Sequence, residues 1–288
     1  PAQSRSFLNA FHFLLTRLLT LVRCRSGLVL DRSRPVGQNY SMVRESQEDR
    51  GRILVTNQLR NVPKIAPVFD QFKGGLVVSC QATEGTPMNT PEFIAAQAMT
   101  VEQAGARAIR AQGIENVALV VKSVKVPVIG LVKSFASDSD VYITPTVKDV
   151  LALVDAGADI VAVDATQRSR LGGVTLQQFF TEVRKHTRVP LLADVDSLEN
   201  AINAETLGFD AIATTLNGYT DIPSTGLPNI DLVLQIAKAI KVPLVAEGGF
   251  ANPAQVRNAI ENGAWAVCVG TAITNPYLLT KHFINEGI

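Results

Sequence analysis

The chain is poor in the residues from which many enzyme sites are built. Its 288 residues include three cysteines, three histidines, three methionines and one tryptophan, and aromatic residues make up only 6%. Cys24, Cys80 and Cys268 are odd in number and widely spaced, which argues against a disulfide framework or a zinc knuckle. The last two lie in apolar runs and read as core residues. His12, His186 and His282 fall at no expected strand end, so neither a histidine metal site nor a Ser-His-Asp triad has support. An excess of one charge is also missing. Lys and Arg number 27 against 26 Asp and Glu, a net charge of +1, so nothing argues for nucleic acid or an acidic surface as partner. No apolar run is long enough to span a bilayer.

What the chain does have is apolar bulk, with 47% hydrophobic and 18% charged residues. That composition buries a large core and excludes disorder over most of the chain. The length suits one large barrel domain or two ordinary domains.

The first thirty residues carry Arg5, Arg17, Arg23 and Arg25 and no acid, with Phe7, Phe11, Leu14, Leu18 and Leu21 at helical spacing. An Arg-rich, acid-free amphipathic stretch reads as an organelle transit peptide or a weak interfacial helix. It reads equally as sequence with no structural role, with Met42 a candidate start. Residues 31–60 are polar and read as linker, so 1–60 is expected to be an N-terminal extension, disordered or targeting, ahead of a domain at 61–288. Residues 61–73, with Val62, Ile65, Val68 and Phe69 on one side, are expected to form a short helix leading into that domain.

From Gly75 onward the pattern is regular. Short apolar runs occur at 75–80, 106–111, 127–133, 160–165, 191–195, 211–216, 243–248 and 266–271, each bracketed by Gly, Pro, Asp or Asn. Helical periodicity fills intervals between them, as at 93–105, 147–159 and 230–240. Strand and helix alternating eight times predict a parallel (β/α)8 TIM barrel, in which right-handed crossovers bring the eighth strand beside the first. A doubly wound open sheet is the alternative, but no GxGxxG follows the first strand. Gly105, Gly157, Gly208 and Gly263 stand where helices should end and are expected to be left-handed caps.

In such a barrel the C-terminal strand ends share one mouth. In chain order they present Gln81, Arg110, Lys133, Asp164 with Thr166 and Arg168, Asp194, Thr214 with Thr215, Glu247, and Gly270 with Thr271. Lys133 follows an apolar run directly, and desolvation there would bring its amine towards acting as a base; a salt-bridged structural lysine is the other reading. Glu247 ends the run 243–246 and precedes Gly248 and Gly249; a merely solvated acid before a tight turn is its other reading. Asp164 and Arg168 are expected to pair, either to orient a neighbour or as a purely structural pair. Gly248, Gly249, Gly270 and Thr271 end the seventh and eighth strands, where many barrels hold phosphate on free amides.

Several of these segments also occur in a known family. GGLVVSCQA (74–82), IRAQGIENV (109–117), PVIGLVKSF (127–135), VYITPT (141–146) and DATQRSR (164–170) are followed by LLADVDSLENA (191–201), TTLNGYT (214–220), VAEGGF (245–250) and VGTAITNP (269–276). In these motifs, which recur in order along nearly the whole of residues 74–283, the chain resembles the N-acetylmannosamine-6-phosphate 2-epimerases of bacterial sialic-acid catabolism. The resemblance implies a TIM barrel, often dimeric. It implies interconversion of N-acetylmannosamine 6-phosphate and N-acetylglucosamine 6-phosphate without metal or redox cofactor. It places the catalytic lysine on Lys133 and the catalytic acid on Glu247. Gln81, Arg110, Asp164 and Arg168 fall where the family contacts the sugar or the catalytic pair, and Gly248, Gly249, Gly270 and Thr271 where it holds phosphate. One position departs from the family: Asn275 stands where an Arg usually follows AIT. An aldolase using Lys133 as a Schiff base, and a sugar-phosphate sensor without catalysis, are the rival readings. The partner expected is a small amino sugar phosphate, the assembly a homodimer, and the compartment the cytoplasm, or an organelle if residues 1–30 are a transit peptide.

Overall fold

In a computed structural model, residues 65–288 are described; the expected extension at 1–60 and residues 61–64 lie outside them. Eight parallel strands close into a barrel in the order β1 to β8, with β8 returning to β1. The strands are β1 (Leu76–Cys80), β2 (Ala108–Gln112), β3 (Val128–Leu131), β4 (Ile160–Asp164), β5 (Leu191–Asp194), β6 (Ala211–Ala213), β7 (Leu244–Glu247) and β8 (Ala266–Val269). All eight fall inside the runs read from the sequence except that β2 reaches Gln112, one residue further. The main differences are at strand ends. The sixth strand ends at Ala213; Thr214 N–H still donates to the Val245 carbonyl at 3.2 Å, and the chain then turns, with Asn217 N–H donating to the Thr214 carbonyl at 3.2 Å.

The helices are α1 (Pro67–Asp70), α2 (Pro91–Gln103), α3 (Ile114–Ser123), α4 (Val147–Asp155), α5 (Leu176–His186), α6 (Leu198–Leu207), α7 (Ile230–Ala239), α8 (Pro253–Glu261), α9 (Thr271–Thr274) and α10 (Pro276–Gly287). Their starts follow local chemistry. Thr146 with Asp149, Thr175 with Gln178 and Asn252 with Gln255 each form a reciprocal capping box that satisfies first-turn amides. The four expected cap glycines all take positive φ, from +89° to +104°.

Alternation along the strands separates two cores. Outward residues such as Ile109, Val161, Ala193, Ala246 and Val267 pack against the helix layer. Gly130 faces that layer too, where a Cβ would lie 3.1 Å from Leu153 Cδ2 of α4 and 3.3 Å from Val117 Cγ1 of α3, so the helices approach the strand closely there. Inward residues, including Val77, Ala108, Ile129, Ala162, Leu192 and Val245, fill the barrel interior. The helix expected at 61–73 is, within the described residues, the single turn α1 followed by turns. It drives Phe69 and Phe72 into the bottom of the barrel, both fully buried, with ring centroids 5.8 Å apart. Trp265 ties this plug down by donating from its indole N–H to the Phe69 carbonyl at 2.9 Å. Among the described residues no helix is long and apolar enough to cross a membrane.

Candidate active site

The same inward parity carries charge at the other end of the strands. Two residues beyond Ala108 is Arg110, two beyond Leu192 is Asp194, two beyond Val245 is Glu247, and two beyond Ala162 is Asp164. The mouth holds a cavity of about 450 Å³ lined by Gln81, Arg110, Lys133, Thr215, Glu247 and Cys268, among others.

At its base lies a buried ion network. Arg110, only 2% exposed, donates from both terminal nitrogens to Asp194, at 3.1 and 2.6 Å, in a bidentate fork. Its Nη1 also lies 3.3 Å from Glu247 Oε2. Burial alone would pull the guanidinium's pKa down, but the facing Asp194 and Glu247 charges outweigh it and the net shift is upward. For Glu247 burial dominates and raises the carboxyl's pKa; Arg110 opposes this and Asp194 adds to it. Thr215 completes the group, its Oγ1 being 2.7 Å from Asp194 Oδ1 and 3.1 Å from Glu247 Oε2.

Lys133 stands two residues past β3, and its Nζ donates to Gln81 Oε1 at 2.9 Å. Gln81 is itself oriented by donating to Ser79 Oγ at 2.8 Å. Desolvation, then the Arg110 charge, lowers the Lys133 pKa, while Glu247 and Asp194 partly offset this. The side chain keeps an open face towards the cavity, so water moderates the shift. Its backbone is held by the 142–144 segment running antiparallel: Lys133 bridges Ile143, Ser134 N–H donates to the Tyr142 carbonyl at 2.9 Å and Thr144 N–H to the Val132 carbonyl at 2.8 Å. Thr144 has φ +45°, a strained conformation for a β-branched residue, and is fully buried where it locks this crossing.

Asp164 and Arg168 do pair, at 2.6 Å. The other Asp164 oxygen accepts from the Thr166 N–H and hydroxyl at 3.0 and 2.7 Å, and Arg170 donates to the Asp164 carbonyl. Burial raises the Asp164 pKa, against Arg168 and Thr166. This pair is not among the cavity-lining residues. It stands behind Tyr142, which does line the cavity, with the Arg168 guanidinium 5.9 Å from that ring's centroid.

Gly248, Gly249, Gly270 and Thr271 all line the cavity, and their amides donate to no acceptor among the described residues. Gly249 has φ +71°, and a Cβ there would sit 2.4 Å from Leu227 Cβ, so both backbone and space require glycine. Asn275 lines the same rim. Its side-chain oxygen caps α10 by accepting from the Leu278 N–H at 3.0 Å, and its amide donates to Thr83 Oγ1 at 3.3 Å.

The sequence reading missed three contributors. Tyr142 and Tyr219 lie in loops and carried no periodic signal; Cys268, read as packing, is buried but inward at β8 and reaches the cavity beside Glu247. Burial holds both thiols above their usual range, Cys80 at about 12 and Cys268 well above its ordinary value. Among the described residues no three His, Cys, Asp or Glu side chains are grouped to hold a metal ion.

The chain is similar in sequence and fold to known proteins. Residues 94–287 match the family model described as "Putative N-acetylmannosamine-6-phosphate epimerase". A protein of Caldanaerobacter subterraneus subsp. tengcongensis, named "Putative N-acetylmannosamine-6-phosphate 2-epimerase", is 42% identical over 219 residues, 75% of this chain and 92% of its own. A protein of the same name from Clostridium perfringens is 37% identical, over 75% of this chain and 98% of its own. The solved structure of the N-acetylmannosamine-6-phosphate 2-epimerase from Clostridium perfringens superposes with TM-score 0.72 at 36% identity, covering 76% of this chain and 95% of that one.

Proposed function

The chain belongs to the N-acetylmannosamine-6-phosphate epimerase family, and from that premise we propose that it interconverts N-acetylmannosamine 6-phosphate and N-acetylglucosamine 6-phosphate, with Lys133 as base and Glu247 as acid. In the open-chain sugar the C2 proton is alpha to the C1 carbonyl. Neutral Lys133 takes that proton, the C2–H electron pair enters the C1–C2 bond, and the carbonyl electrons move onto O1. Glu247, protonated, gives its proton to the ring oxygen O5 while its other oxygen takes the O1 proton, so it opens the ring and is left an acid; it then protonates the enolate at O1 and takes that proton back as the carbonyl re-forms. The Arg110 charge behind Glu247 favours the developing oxyanion. The Lys133 ammonium, exchanging its protons with solvent, returns one to the opposite face of C2 after the planar enol has turned that face to it, which gives the epimer and restores the neutral amine.

The observation that carries this reading is the joint shift of the pair: burial disfavours the charged forms of both Lys133 and Glu247 in one cavity. Both shifts bring the pair nearer to the neutral amine and neutral carboxyl that the proton transfer uses.

Gln81 then both orients Lys133 and meets the sugar, while Asp164 and Arg168 act indirectly by fixing the Tyr142 wall. The free amides at Gly248, Gly249, Gly270 and Thr271 receive the phosphate, whose fixed position orients C2 towards Lys133. The assembly is a homodimer. Support comes from α10, which buries none of its residues and exposes Tyr277, Phe283 and Ile284. Buried free thiols at Cys80 and Cys268 fit a reducing compartment such as the cytoplasm.

Proton NMR of the protein with N-acetylmannosamine 6-phosphate in heavy water tests the reaction. The expected product is the gluco epimer carrying deuterium at C2. Folded protein that gives neither epimer nor exchange would overturn the reading.

A further inference from the structure

Thr215 lies between two carboxylates and has one proton to give. Its Oγ1 is 2.7 Å from Asp194 Oδ1 and 3.1 Å from Glu247 Oε2. Asp194, fully buried, otherwise receives only the two nitrogens of Arg110, so it acts throughout as an acceptor. The shorter contact therefore takes the Thr215 proton. The hydroxyl then offers Glu247 a lone pair, and the 3.1 Å contact is a hydrogen bond only when Glu247 brings the proton itself. A hydroxyl donating to Glu247 would favour the carboxylate. One committed to Asp194 favours the acid.

We propose that Thr215 is a positioning residue that holds Glu247 as a protonated acid by committing its own single proton to Asp194. This rests on Glu247 acting as the proton donor. The charged and titratable groups facing Glu247 are Arg110 from β2, Lys133 beyond β3, Asp194 from β5 and Cys268 from β8. Burial and the Asp194 charge favour the acid, while Arg110 and a hydrogen bond from the Cys268 thiol favour the carboxylate, as would a Thr215 hydroxyl turned to donate; committed to Asp194, Thr215 joins the first group. When Glu247 gives up its proton, the hydroxyl can rotate towards it, which eases the transfer without any movement of the carboxyl groups.

The test uses the full chain with 13C-labelled glutamate carboxyls, titrated by NMR, the Glu247 signal being identified by its loss in Glu247→Gln. Thr215→Val keeps the side-chain volume, and so the burial of Glu247, while removing the hydroxyl. The Glu247 midpoint is expected to move about one pH unit to the acid side, the scale of one lost hydrogen bond to the neutral form. The alkaline limb of kcat/KM should move with it. Thr215→Ser should leave both in place, and Thr215→Ala serves as a second variant without the hydroxyl if Val does not fold. A midpoint that stays put or moves to the alkaline side in Val and Ala, or moves equally in Ser, overturns the proposal. The titration needs no turnover, so it reads Thr215 even if the wild-type protein failed to epimerise.

Discussion

At the bottom of the barrel the inward strand positions carry Val77, Ala108, Leu192 and Val245, closed by Phe69 and Phe72. Two residues along β2, β5 and β7, on the same face, they carry Arg110, Asp194 and Glu247. Arg110 and Asp194 are as buried as the apolar layer and Glu247 is 15% exposed, yet the energetics of the two layers are opposite. The lower layer gains from removing apolar surface from solvent. The upper one loses hydration of charge and recovers it only through mutual pairing. A shared parity thus gives one end that supports the fold and one end whose chemistry strains it.

Asp194 tests this contrast most severely, because it belongs to both pairing and function. Asp194→Ala leaves Arg110, 2% exposed, with only a 3.3 Å contact to Glu247. Breaking a buried pair from one side costs about 3–5 kcal/mol. Loss of the Asp194 charge also removes one influence that raises the Glu247 pKa, so the alkaline limb of kcat/KM moves to lower pH. Denaturant unfolding and a pH–rate profile together should show both effects. A variant as stable as the parent would mean that the network is not a structural keystone.

Lys133→Ala separates the ends of the barrel. Lys133 has a single hydrogen bond, to Gln81, and an open face to the cavity, so its loss should leave thermal stability nearly unchanged. Turnover should fall by about 10²–10⁴-fold, the range for removing a positioned base. Full activity would sink the assignment of the base. Phe69→Ala is the converse. Emptying a fully buried aromatic site costs about 3–5 kcal/mol, while kcat in the remaining folded protein should hold. A kcat that falls in step with stability would show that the plug and mouth are coupled through the barrel.

The two ends were also unequally legible. Strand parity is a sequence property, so the run IVAVD already places Asp164 inward, as LLAD places Asp194 and LVAE places Glu247. Glycines before strands announced the helix ends for the same local reason. What sequence could not place was set by distance in the chain. The Arg110–Asp194 fork joins residues 84 apart, and nothing in either neighbourhood names the other. Asp164 and Arg168 were expected to pair, and they do at 2.6 Å, but sequence did not show that Arg168 would lie beside Tyr142, its guanidinium 5.9 Å from that ring's centroid. Tyr142 enters through a crossing segment whose strained Thr144 has no composition signal. The plug at Phe69 was read as part of a longer helix, because apolar spacing says which residues are buried but not that one turn suffices.

Asn275 gives the smallest effect and the finest test of the mouth, since it serves both ends of the comparison at once. As a cap it supports α10 through the Leu278 N–H, and as a rim residue it faces the amides assigned to phosphate. The family's usual Arg could not make that cap, but its guanidinium would bring a fixed charge and a two-pronged donor. Asn275→Arg should therefore lower stability by about 1 kcal/mol, the typical worth of an N-cap. It should also lower KM for the phosphorylated sugar several-fold, with kcat unchanged, because the gain applies equally to bound substrate and transition state. The unphosphorylated sugar should show no such gain. If KM improves for both sugars, the rim does not read phosphate, and the anion belongs elsewhere in the mouth. If KM improves for neither while stability falls, Asn275 acts here as a cap alone, and the glycine amides hold the phosphate without help from its side chain.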